Sequence, residues 1–381
     1  MKRRVELGLL FSCSGNYQLL SAASKAGAEA GIAAVNADDR RTVAFQPVAR
    51  DPEGKTDRYA PLCAEIFRDS SARHVVGCTT SLSRKEVIPV LEKFGGMLWY
   101  PCPYEGFEAN EQVVYMHACP NQHLVPLLAH VIPRFGRNGF LLGSNYIWGW
   151  ETNRVARDVI GDAGGEVLGE RYLPLGDTDV SRLIAEIRAS RPNFILNNLI
   201  GPSSYAFFEA YGRLGEEDGH FTPERCPILS CNLTEIELPA IGPAAEGHLS
   251  VGPWFAPEPG AASKERAIGP GRGSAPENAA SSFYVAAHSA VIVLADLLDA
   301  AGAAAEAPRP AFSGRHFATP YGRIAIDPAN QHASLPVKIA RARGGRFEVV
   351  EESPAVVSPD PYLSRYDPAR VFGRPSLRAV S

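Results

Sequence analysis

The sequence predicts an α/β protein of two doubly wound lobes, each a parallel sheet flanked by helices, with a ligand cleft between them. Three observations lead there. Short apolar runs alternate with helical patterns from the first residues, as parallel strands joined by crossover helices require. The series begins again near Asn121, so it is present twice. A chain of 381 residues with 45% apolar content is long enough to bury two ordinary cores.

The elements follow in order. "VELGLLFS" reads as a buried strand, although "MKRR" before it resembles the start of an export signal. Glu6, Ser12 and Ser14 break the apolar run too early for such a signal, so Val5 to Phe11 is expected to be the first strand. "YQLLSAASKAGAEAGIAAVNA" is an amphipathic helix, "RTVAFQPVAR" a strand, and "DRYAPLCAEIFRDS" carries apolar residues at helical spacing. "HVVGC" is a short buried strand. "SRKEVIPVLEKFG" is expected to be helical despite Pro89, and "MLWYP" is the next strand. Pro101 and Pro103 then fix φ and push their predecessors into extended geometry, so "YPCPYEGFE" is a stiff strand-end loop rich in aromatics. Loops of that kind carry ligand contacts in α/β proteins.

In the second series "HLVPLLAHVIPRFG" is a helix, "NGFLLGS" a strand, "ETNRVARDVIGDAGG" a helix and "EVLGERYLPLG" a strand. "DVSRLIAEIRASRP" is a helix stopped by Pro192, "NFILNNLIG" a strand, "SSYAFFEAYGRLG" a helix and "PILSCNL" a strand. "APEPGAASKERAIGPGRGSAPENAA" breaks the pattern and reads as a surface loop. Its "GPGRGS" follows no strand and lacks the Lys-Ser/Thr of a phosphate loop. A long Ala-rich helix, "SSFYVAAHSAVIVLADLLDAAGAAAEA", precedes a pair of hairpins in "PYGRIAIDPANQHASLPVKIARARGGRFEVV". The expected division is 1–118 with 254–322 in the first lobe, 119–253 with 323–365 in the second, and 366–381 as a tail.

Several function classes are excluded. The net charge of −4 argues against nucleic-acid binding, which needs a clustered basic excess. No run approaches about 18 uninterrupted apolar residues, so no membrane-spanning segment is expected. Seven cysteines without a CxxC pair indicate neither a disulfide framework nor a zinc knuckle. His117 and His123 flank Cys119 in "HACPNQH", but Pro120 interrupts them and they lack helical i,i+4 spacing, so no metal site is expected. There is no nucleophile elbow, zincin helix or Walker loop, and nothing marks Cys102 as an activated thiol. Neither an enzyme nor a cofactor is expected.

What remains are strand-end loops with uncharged hydrogen-bonding groups: Thr79, Thr80 and Ser81 before a helix, then Tyr100 and Tyr104. Asn145, Tyr146, Trp148 and Trp150 follow, with Asn198, Ser203, Ser204, Asn232 and Thr234 beyond them. Each alone reads as a cap or turn residue. Their recurrence at successive strand ends in both lobes predicts a small, neutral ligand.

On the motifs "GLLFS.SG", "DRY...CAE.F", "VGC..S..RK.V.PV.E", "YP.PYEGFE", "PNQ", "GS.YI", "ETN" and "DPANQHASL", the chain from Leu7 to Tyr362 resembles the type 1 periplasmic-binding-protein fold. More narrowly, it resembles the amide-sensing negative regulators of aliphatic amidase operons and the related urea and short-chain-amide binding proteins. The resemblance implies a ligand held by Ser81, Tyr100, Cys102, Pro103, Tyr146 and Trp148, with Ser81 bonding the amide head. Thr79, Thr80, Tyr104, Asn145 and Asn232 complete the candidate site. Four positions depart from the amidase regulators: Thr79 and Trp148 stand where those have tyrosine, Cys102 where they have threonine, and Asn145 where aspartate is preferred. These changes point to a bulkier, more apolar acyl group than that of acetamide.

The function expected on this basis is that of a cytoplasmic small-amide sensor. Lobe closure on the amide would control an RNA-binding antitermination regulator of an amidase or nitrile-degradation operon. The alternative is the substrate-binding component of an ABC transporter for short-chain amides or urea, periplasmic after removal of a signal. No direct nucleic-acid contact is expected, and a homo-oligomer is compatible with either.

Overall fold

The computed structural model describes residues 2–257, 281–302 and 312–373. The "GPGRGS" segment lies outside them. In the first lobe, strands β1 (Arg3–Leu10), β2 (Val43–Arg50), β3 (His74–Gly77), β4 (Met97–Tyr100) and β5 (Val113–Tyr115) form a sheet in the order β2-β1-β3-β4-β5. All its neighbours are parallel. Helices α1 (Gln18–Ala37), α2 (Tyr59–Asp69) and α3 (Ser81–Phe94) make the crossovers. β3 and β4 are buried along their whole length, as central strands covered on both faces must be.

In the second lobe the order is β14-β13-β10-β9-β8-β6-β7. Its strands are β6 (Gly139–Ser144), β7 (Val167–Leu173), β8 (Phe194–Asn198), β9 (Ile228–Ser230) and β10 (Leu249–Gly252), with β13 (Lys338–Arg343) and β14 (Arg346–Glu352). Helices α4 (Leu124–Phe135), α5 (Ile147–Asp162), α6 (Ser181–Ser190) and α7 (Pro202–Glu217) flank it, with the short α8 (Leu238–Ile241). β6 to β10 pair in parallel, whereas β13 and β14 close one edge antiparallel.

The chain crosses between the lobes after β5, after β10, and once more before β13. Beyond the second crossing α9 (Ser282–Ala301) packs into the first lobe's core with Leu7, Leu9, Val76 and Trp99. By length and mean hydropathy α9 is apolar enough to cross a membrane, although polar and charged residues interrupt it. Its apolar surface is instead taken up by the sheet and α1: 78% of its most apolar window is buried.

The expected hairpin pair is present but divided. β11 (Phe317–Thr319) and β12 (Gly322–Ile324) make a small sheet of their own, while β13 and β14 extend the second lobe. The sequence reading does not include β5 and β10, runs of three and four residues. The crossings are tied to one another. Gln122 of "PNQ" donates through Nε2 to the carbonyls of Ala333 (3.0 Å) and Val357 (2.8 Å), joining the first crossing to the last.

Candidate functional site

Parallel sheets deliver all their strand-end loops to one edge, and here the two edges face each other. Between them lies a cavity of about 330 Å³, part of it open to solvent. The lobes meet beside it, where Gly201 of the second lobe lies against the backbone of Asn16 of the first. The first lobe contributes Tyr17, Leu20, Thr79, Thr80, Ser81, Tyr100, Pro103 and Phe283; the second contributes Tyr146, Trp148, Ile200 and Asn232. No charged side chain lines it among the described residues.

The turn from β3 into α3 sets the first-lobe hydroxyls. Cys78 has a left-handed backbone (φ 66°), strained for a residue with a Cβ, and it is held there by its surroundings. Its N–H donates to the Leu10 carbonyl (3.0 Å), and its own carbonyl receives the Cys102 thiol (3.5 Å). Thr80 caps α3, its Oγ1 accepting from the Ser83 N–H and the Ser83 Oγ accepting from the Thr80 N–H, both at 3.1 Å. Thr79 Oγ1 donates to Ser21 Oγ (3.0 Å) on α1. Two of the three expected hydroxyls are therefore engaged by neutral neighbours, whereas Ser81 is engaged by charged ones.

Ser81 Oγ donates to the carboxylate of Glu105 and accepts from Nη1 of Arg84 at 3.3 Å. Arg84 is fully buried, paired with Glu105 (3.1 Å) and, through Nε, with Glu108 (2.7 Å). Its guanidinium lies over the rings of Tyr104 (4.7 Å) and Tyr100 (4.8 Å). Burial alone would raise the Glu108 carboxyl. The Arg84 charge, with hydrogen bonds from Arg84, Lys85 and Tyr115, instead lowers it to about 2. Burial also pushes the Tyr100 and Tyr146 phenols well up, so both stay neutral.

In the second lobe Tyr146 leads in extended conformation into α5, which begins at Ile147 and not at the expected Glu151. The helix starts that early because Gly149 allows close approach to β6: a Cβ there would stand 2.3 Å from the Ser144 carbonyl oxygen. Trp148 is thereby fixed against the cavity. Its Nε1 is buried without an acceptor, and the Tyr100 hydroxyl from the other lobe is buried without a partner. Such orphans are uncommon in folded proteins and mark places where a ligand or water completes the bonding.

Ser81, Thr79, Thr80, Tyr100, Pro103, Tyr146, Trp148 and Asn232 thus meet at one cavity. Three candidates do not line it. Cys102 lies in the first lobe's core, and its thiol acts on Cys78. Tyr104 is turned back onto Tyr115 and His332, and its hydroxyl donates to the Glu108 carbonyl (3.0 Å). Asn145 is exposed and accepts from Trp150 Nε1 (3.0 Å).

The sequence reading misses Tyr17 and Ile200, which follow strand ends as the others do, and Leu20 and Phe283, which come from helices. It also misses Arg84 and Glu105, both within quoted motifs. The extra room expected at Thr79 is not open space, because Tyr17, Leu20 and Phe283 share the cavity with it. His123 and His117, lowered by burial to about 4 and about 3, are neutral, and no cluster suited to a metal occurs among the described residues.

Comparison with known proteins gives the fold and the family. The chain is 22% identical over 374 residues to the Leu/Ile/Val-binding protein homolog 6 of Brucella abortus, covering 90% of this chain and 89% of that one. A solute-binding protein of an R. palustris ABC transporter, solved with 4-hydroxybenzoate, superposes with a TM-score of 0.78 at 20% identity, covering 92% of this chain and 97% of that one. LivJ of Streptococcus pneumoniae, solved with isoleucine, gives 0.76 at 16% identity, covering 94% and 100%. Residues 5–368 match the family described as periplasmic binding protein domain, and the chain belongs to that family.

Proposed function

We propose that this protein is the solute-binding component of an ABC importer for a small neutral amide with an apolar or aromatic body. The observation that carries this reading is the unpartnered Trp148 Nε1 at a cavity lined by no charged side chain among the described residues. An indole N–H can only donate, so the bound molecule presents an acceptor such as a carbonyl oxygen. Tyr17, Tyr100, Tyr146 and Phe283 suit a flat apolar body beside it. A charged solute would enter a largely buried site lined by uncharged groups, without a counter-ion among them, which is costly.

The curated relatives are named as Leu/Ile/Val-binding proteins and the structural neighbours above as solute- or substrate-binding proteins of transporters, which favours this role over the sensor expected from the motifs. In the importer role the protein works outside the inner membrane; a cytoplasmic location belongs to the sensor reading. For a ligand of about six heavy atoms the best attainable binding is about −9 kcal/mol, so micromolar affinity is expected.

Native mass spectrometry of protein purified gently from its host, with calorimetry of benzamide, butyramide, acetamide and urea, tests the ligand class. An uncharged amide retained or bound best supports the reading. Preference for an amino acid or a carboxylate overturns it. Co-purification with a membrane permease, as against an RNA-binding regulator, separates the two roles.

A further inference from the structure

We infer that Glu105, which does not line the cavity, is a specificity-determining positioning residue: it orients the Ser81 hydroxyl so that the site selects an N–H-bearing ligand over a carboxylate. The inference rests on the amide reading above and deepens it.

The geometry leaves Ser81 little freedom. Glu105 is 2% exposed and ion-paired with Arg84, so its carboxylate only accepts, and the Ser81 hydrogen must point to it. Arg84 only donates, so Nη1 at 3.3 Å takes one lone pair of the same oxygen. Ser81 is left with one lone pair and no hydrogen for a ligand. A hydroxyl in solution turns to suit either kind of partner, whereas this one is locked as an acceptor. An amide NH₂ satisfies it. A carboxylate oxygen would face a lone pair, with the Glu105 charge directly behind it. Arg84 does not relieve that repulsion, because its charge is taken up by Glu105 and, together with that of Lys85, by Glu108. Benzoate and benzamide have nearly the same shape, so the packing aromatics do not separate them. Ser81, as Glu105 sets it, does.

The test is calorimetry with benzamide and benzoate on the full chain at neutral pH. The unmodified protein should prefer benzamide. In Glu105→Gln the amide of glutamine can turn its NH₂ toward Ser81 and release the hydroxyl. The benzamide-to-benzoate ratio should then fall about tenfold, with benzoate itself gaining. A purely structural role would weaken both probes alike.

If Glu105→Gln does not fold, Ser81→Ala serves: benzamide weakens while benzoate is unchanged or improved, since what is lost is an acceptor. An unchanged ratio in a folded Glu105→Gln protein, or equal loss of both probes in Ser81→Ala, overturns the role of Glu105 and leaves the amide reading standing. An unmodified protein that prefers benzoate, or binds neither probe, overturns the amide reading itself.

Discussion

Gly201 and Asn16 meet across the cleft so closely that a Cβ on Gly201 would stand 1.8 Å from the Asn16 backbone oxygen. Gly201 follows β8 in the second lobe and has φ 60°, while Asn16 follows β1 in the first. The closed arrangement therefore depends on a residue without a side chain at this point. Ligand can favour that arrangement only through contacts it makes better there than in an open one.

Gly201→Ala should accordingly hold the lobes apart. Affinity for benzamide is expected to drop by at least about tenfold, while folding stability falls only by the modest cost of a strained alanine, about 1 to 3 kcal/mol. Small-angle scattering should show ligand-dependent compaction in the unmodified protein and none in the variant. Full compaction in Gly201→Ala would refute the steric argument.

Trp148→Phe removes the orphan indole N–H and keeps an aromatic ring. Benzamide should bind more weakly by about 1 to 3 kcal/mol. Stability without ligand should change little, because the buried donor has no acceptor to lose. Calorimetry and thermal melting together check both halves.

Arg84→Met leaves Glu105 buried without its cation and Glu108 with Lys85 alone. Removing one member of a buried ion-paired group costs about 3 to 5 kcal/mol. Urea denaturation should show that loss. A variant as stable as the parent would mean that the carboxyls take up protons or water at little cost.

The Glu108 carboxyl gives stability a pH dependence. Its value is lowered in the folded protein from 4.5 to about 2, so the unfolded chain binds the proton more tightly. The contribution is fully present above the ordinary value and is lost as pH falls through about 2. Urea midpoints measured from neutral pH down to about pH 2 should decline more steeply in the parent than in Glu108→Gln.

The sequence by itself determined the alternation of strands and helices and their division into two series. It also determined which loops stand at the strand ends. Hydrophobic period and turn residues are local properties, and a parallel sheet sends every strand-end loop to the same edge. For that reason Thr80, Tyr100, Tyr146 and Trp148, scattered along the chain, can be grouped at one site from their positions in the sequence.

Which of their polar groups remain free was decided only by the tertiary structure. Thr79 is engaged by Ser21, Thr80 by the start of its own helix, and Ser81 by Glu105. Asn145 turns outward to Trp150, while Tyr104 and Cys102 turn inward behind the site. A loop has no periodicity to fix where its side chains point. The partner of a buried charge such as Arg84 is found by the closing of the fold, and its neighbours in the chain do not reveal it.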